Sequence, residues 1–171
     1  MAAGTPHHQP SPGASTGFVF ICPGRFEAQR GYPCAAGTGA NLGRALAVLH
    51  GKLPRVFRGA DRTSYVITNS WETVEFPALT GRSVPTVEEV LAPTNLRRLA
   101  AELAGLEVVV ACGAQAHAAL RALRETGALA ARVAEARHLS QRSVNMIAGA
   151  GDTAGRIGLW GDGVIAQLGA R

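Results

Sequence analysis

Residues 17–46, GFVFICPGRFEAQRGYPCAAGTGANLGRAL, decide how this chain folds. The unbroken apolar run Phe18–Cys22 is the mark of a strand covered on both faces. Pro23-Gly24 turns the chain and a polar loop follows. Gly37-Thr38-Gly39 then opens a helical stretch, Ala40–His50, with Leu42, Leu46 and Leu49 on one face. Strand, turn, long loop and helix in that order put backbone N–H groups and side chains at the carboxyl end of a buried strand. That is where open α/β sheets bind ligands.

The flanking chain repeats the alternation. Ser64–Asn69 reads as a second strand by its β-branched content, Leu106–Cys112 as a third, and Arg132–Arg137 as a weaker fourth. Between them, Ser70–Pro85 reads as loop. Thr86 with Glu89 three residues on forms a capping box, Pro93 interrupts, and Asn95–Ala104 turns Leu96, Leu99 and Leu103 inward. Gly113 starts an Ala-rich helix, Ala114–Arg124. The glycine-rich end, Gln141–Arg171, shows helical patches only around Val144–Ala148 and Val164–Leu168. Residues 1–16, rich in Pro, Gly, Ser and Thr, read as a flexible tail. The expected fold is a single three-layer α/β/α domain over 17–171, with a parallel sheet of about four strands.

Composition narrows the class. The 171 residues are 47% hydrophobic, enough for one sizeable core. A net charge of +5, mostly arginine, points to a polyanion partner, although a high-GC genome, which favours Arg and Ala, leaves the same trace. Three cysteines without CxxC spacing speak against a disulfide framework, structural zinc or a four-cysteine cluster. No run is long enough to span a bilayer. The setting expected is cytoplasmic, with no metal or other cofactor.

Three segments leave carboxyl strand ends and converge in a parallel sheet: 22–39, 69–72 and 138–145. Cys22-Pro23-Gly24, followed by Phe26, Ala28, Gln29, Gly31 and Pro33, resembles the first motif of the single-strand-selective monofunctional type of uracil-DNA glycosylase. With Glu27, Gly31, Pro33 and Gly39 it also resembles the first motif of the family 4, iron–sulfur type. Tyr65–Asn69 is similar to that superfamily's second strand, which ends in a base-reading Asn. Val108–Ala116 is similar to its third strand and helix start, and His138-Leu-Ser-Gln-Arg142 to its closing His-Pro-Ser-x-Arg loop. The resemblance covers residues 17 to about 145. It implies a uracil-DNA glycosylase-like fold and a cofactor-free, monomeric enzyme of base excision repair. That enzyme acts on uracil or a related deaminated base in single- or double-stranded DNA and releases the free base.

Residue by residue, Asn69 would read the uracil edge, since an amide offers both donor and acceptor. A neutral His138 would donate to uracil O2 as charge develops there. Cys22, Pro23 and Gly24 would border the base. Ser140 would grip a flanking phosphate, and Arg142 would bind the backbone or enter the gap in the stack.

The departures concern water and stacking. Ile21 stands where the family 4 pattern has an acid, and Cys22 where the single-strand-selective pattern has Asn. Neither orients water well, so Glu27 or Glu72 would have to supply a carboxylate. Cys34 replaces the aromatic that stacks on uracil, leaving Phe26, Tyr32 or Trp71 to take over. Leu139 replaces the proline, and the cluster cysteines are missing.

Two other readings remain. One is a nucleic-acid-binding member of the same fold with weak or lost chemistry. The other is a nucleotide-cofactor site at Gly37–Gly43. A dinucleotide fingerprint, however, follows its strand directly, and here residues 23–36 intervene.

Overall fold

The computed structural model describes residues 4–169. Its strands are β1 (His8–Gln9), β2 (Thr16–Phe20), β3 (Val66–Asn69), β4 (Val108–Cys112) and β5 (Arg132–Ala136). They lie in the order β1-β3-β2-β4-β5. The last four are parallel, and β1 runs antiparallel along the outer edge of β3. Every residue of β2 and β4 is buried, as their unbroken apolar runs predict.

Helices cover both faces. They are α1 (Arg25–Arg30), α2 (Gly37–Lys52), α3 (Pro77–Thr80), α4 (Val87–Val90), α5 (Pro93–Glu102), α6 (Ala114–Glu125), α7 (Gln141–Asn145) and α8 (Thr153–Leu168). Strand side chains alternate between two cores. Phe18, Phe20, Ile67 and Val110 pack with Leu42, Leu46 and Leu49 of α2 and with Trp160 and Val164 of α8. Val19, Val109 and Ala111 pack on the opposite face with Leu99 of α5 and Leu120 and Leu123 of α6. Each fully buried Leu or Phe contributes about 1.5–3 kcal/mol through burial. The result is a three-layer α/β/α fold whose parallel strands all open onto one end. The Thr86–Glu89 capping box is present at α4, and Pro93 sits in the first turn of α5, where its missing N–H costs nothing.

Three stretches depart from the sequence expectation, the first being Ser70–Pro85, expected to be loop, which holds the single-turn helix α3 started by Pro77 and ended by Gly81. The segment expected to be a flexible tail is tied down over its described part, and residues 1–3 lie outside the described residues. Gln9 Nε2 donates to the Arg62 carbonyl and Arg62 Nε donates to Gln9 Oε1, both at 3.0 Å, while Ser11 Oγ donates to the Thr63 carbonyl at 2.7 Å. The segment has little to bury, but it pairs with backbone groups that β3 would otherwise leave open at the sheet edge. The glycine-rich end is also more helical than its composition suggests. Asp152 caps α8 by accepting from the Gly155 N–H at 2.7 Å. A Cβ at Gly161 would lie 2.7 Å from Val48 Cγ1, so α8 uses that glycine to approach α2 closely. Among the described residues, no helix is long and apolar enough to cross a membrane.

Candidate functional site

Beyond the carboxyl ends of β2 and β3 lies a pocket of about 150 Å³, bordered by Asn69, His138 and Glu27, with Phe20, Cys22, Gly24, Cys34 and Thr38 completing its wall. A cavity of about this size holds a single six-membered ring. Other recesses are larger, about 220, 290 and 330 Å³. The first is chiefly apolar, between β5 and α8. The second lies at the amino ends of β2 and β3 among small and hydroxyl side chains, and the third is bordered by Arg121, Arg124 and Glu125 alone. None combines an amide, an imidazole and a carboxylate.

Asn69 is the last residue of β3 and is only 2% exposed. Its Nδ2 donates to the His7 carbonyl at 3.1 Å, and its own backbone carbonyl accepts from Arg98 at 3.0 Å. Arg98 is paired with Glu102 at 2.7 Å. Burial disfavours a charged Glu102, but hydrogen bonds from His7 and Thr68 and the nearby Arg98 outweigh it and hold the carboxyl at about 2. Asn69 therefore sits on a braced platform.

His138 follows β5 and sits edge-on to Phe20, with ring centroids 5.6 Å apart. Its Nδ1 accepts from the Ser140 N–H at 3.0 Å, so the neutral ring carries its proton on Nε2. Burial, partly countered by Glu27, pushes the imidazole down to about 4. The loop carrying it is anchored to α2 through buried Asn41, whose Nδ2 donates to the Leu139 carbonyl at 2.9 Å.

The loop after β2 is folded around Glu27. One carboxylate oxygen accepts from the Gly24 N–H and the other from the Ala35 N–H, each at 2.9 Å. Arg62 donates to the carbonyls of Pro33 and Cys34. Together these bonds hold Cys34 at φ 53°, a left-handed conformation uncommon for a residue with a side chain. Gly39 permits the loop to return against α2, since a Cβ there would collide with the Cys34 carbonyl oxygen. The Cys22 thiol faces the Ser83 carbonyl at 3.4 Å, and burial, with Glu75 and Glu27 adding to it, pushes it up to about 12. It is a neutral thiol, not a nucleophile.

Several residues singled out in the sequence stand elsewhere. Phe26 and Tyr32 are 43% and 38% exposed and lie outside the pocket wall, each with an arginine, Arg25 and Arg62 respectively, over its ring. Trp71 packs on the opposite core and donates to Glu75. Glu72 is exposed and does not border the pocket. Pro23 is buried behind the wall, its carbonyl accepting from the Glu75 N–H at 2.9 Å. Ser140 caps α7, accepting from the Ser143 N–H at 3.3 Å, and Arg142 is exposed in the first turn of that helix. Sequence reasoning missed Phe20, the aromatic that does border the pocket, and Thr38, in the first turn of α2. The signal for Phe20 was its place two residues before Cys22. Among the described residues, no group of three or more His, Cys, Asp or Glu is placed to hold a metal ion.

No protein-family model matches the chain, and no curated protein matches it.

Proposed function

We propose that the chain is a DNA glycosylase that hydrolyses the N-glycosidic bond of uracil, or a related deaminated base, without a cofactor. The observation that carries this reading is the meeting of Asn69, His138 and Glu27 in one ring-sized pocket. The four motifs that resemble uracil-DNA glycosylases support it.

In this reading a nucleotide is extruded from the strand and its base enters the pocket. Asn69 Oδ1 accepts from uracil N3–H, and its second Nδ2 proton goes to O4. As the bond from C1′ to N1 breaks, its electron pair passes into the base and charge builds on O2. His138 donates its Nε2–H to that oxygen, and a neutral donor suffices because the bond strengthens only as charge develops. Water adds to C1′ and its proton leaves to solvent or base. Phe20 offers an aromatic edge to the bound ring. Glu27 is the carboxylate nearest this chemistry, although both of its oxygens already accept a backbone N–H. Exposed Arg25 and Arg142 and the net positive charge suit a DNA backbone. A cytoplasmic setting fits the three free cysteines.

A second reading has one observation in its favour. Ile21 and the neutral thiol of Cys22 leave the first motif without a group that orients water. This suits a nucleic-acid-binding protein of the same fold with little chemistry left. The two separate on labelled single- and double-stranded oligonucleotides carrying uracil, hypoxanthine or xanthine, treated with alkali after incubation. Strand cleavage at the modified base is the result expected of the glycosylase. Salt-sensitive binding without any abasic product assigns the binding role.

A further inference from the structure

We propose that the N-terminal strand sets which base the pocket accepts, by locking the Asn69 amide in one of its two orientations. This rests on reading the pocket as a uracil site. Half a turn of an Asn amide exchanges donor and acceptor with almost no change of shape. In the observed orientation Nδ2 donates to the His7 carbonyl at 3.1 Å. The flipped amide would set Oδ1 against that carbonyl oxygen, two acceptors with no proton between them, at a side chain only 2% exposed. The lock matters because uracil and cytosine present opposite patterns. Uracil offers N3–H as donor and O4 as acceptor; cytosine offers N3 as acceptor and its N4 amine as donor. A free amide could match either base, whereas a locked one matches uracil.

His7 is held in place for this role. The register His8↔Thr68 sets the preceding residue beside Asn69. His7 Nε2 meets Glu102 Oε1 at 3.0 Å. The other oxygen of Glu102 accepts from Thr68 Oγ1 at 2.5 Å and from Arg98 at 2.7 Å, and Arg98 in turn donates to the Asn69 carbonyl. One carboxylate thus anchors both the group that locks the amide and the group that fixes its backbone. His7 and Glu102 are positioning residues and do not border the pocket.

The test compares the full-length wild type with His7→Gly, which removes the anchor and frees the backbone, and with His7→Gln, which returns a donor to Glu102. Solvent exchange of the Asn69 side-chain NH₂ is followed by NMR, free uracil and free cytosine are titrated, and release of both bases from single strands is measured. In His7→Gly, exchange should quicken and the uracil-over-cytosine binding ratio should fall about tenfold or more, with His7→Gln restoring both. If His7→Gly does not fold, Glu102→Gln carries the same expectation, weaker by several-fold. A wild type that binds uracil over cytosine but releases neither base from DNA removes the glycosylase reading and leaves the lock in force. A wild type that binds neither free base, or a His7→Gly variant with an unchanged ratio, overturns the lock.

Discussion

At the end of β3, Asn69 is held from three sides: by Arg98 on its carbonyl, by the His7 carbonyl on its amide and by the ladder with β2. At the end of β2, on the other side of the same pocket, Cys22 offers a thiol that burial keeps neutral, and Ile21 before it is a hydrocarbon that does not border the pocket. One wall carries a braced amide. The other carries one carboxylate, Glu27, whose two oxygens already accept the Gly24 and Ala35 N–H groups. If the pocket takes a base as proposed, recognition and water handling are separable in it, and the site keeps the first while thinning the second. A hydrolysis whose barrier is lowered mainly by leaving-group stabilisation can proceed slowly under those conditions.

The comparison can be broken most forcefully on the recognition side. His138→Ala should lower turnover on uracil-containing strands by about 10²–10³-fold, the usual cost of one preorganised oxyanion donor. Strand binding should change only a few-fold. Equal losses in turnover and binding would make His138 a packing residue. Asn69→Asp should lower uracil release by about 10²-fold, because an ionised side chain cannot donate to O4. Full uracil activity in that variant would remove Asn69 as the reader.

Stability sharpens the contrast. Glu102→Ala leaves Arg98 half-buried without its carboxylate and should cost about 3–5 kcal/mol in denaturant unfolding. Cys22→Ala, across the pocket, should cost about 1 kcal/mol or less. Similar costs for the two would contradict the claim that Glu102 braces the Asn69 wall. Cys22→Asn, which puts a polar group where water must be oriented, should raise turnover about tenfold if the β2 side limits the rate. No gain would place the limiting step elsewhere.

The most gradual effect is in pH dependence. The folded chain holds the His138 pKa at about 4 through burial, against 6.5 when unfolded, so between those values the unfolded state binds a proton that the folded state refuses. Stability should fall as pH drops from 6.5 to 4, by at most about 1.4 kcal/mol per unit, and level off below. Glu102 acts in a lower window. Its carboxyl is held at about 2, so its contribution is present above pH 4.5 and lost between 4.5 and 2. Equilibrium unfolding of His138→Phe should lose most of the upper slope, leaving the part due to His8, whose pKa burial also lowers, and keep the lower one.

Much of this arrangement was legible in the chain itself, because local signals carry it. The apolar runs of β2 and β4, the Thr86–Glu89 box and the strand-ending Asn69 are written within a few residues each. The rest depends on partners distant in sequence. β1 forms because Gln9 and His7 meet Arg62 and Glu102, 53 and 95 residues away, and no compositional signal in residues 4–16 shows that. α8 forms despite its glycines because Gly161 lets Trp160 and Val164 reach the face of α2. Phe26 and Tyr32 looked like stacking partners by their place in the loop. The tight bonds of Glu27 and Arg62 instead turn that loop so that both rings stay outside.

Free uracil soaked into crystals of the chain tests the central claim most directly. The base should lie with its N3–H and O4 edge on the Asn69 amide and its O2 within hydrogen-bond distance of His138 Nε2. Uracil bound in another recess, or a 69–138 gap closed by aliphatic side chains, would contradict the account.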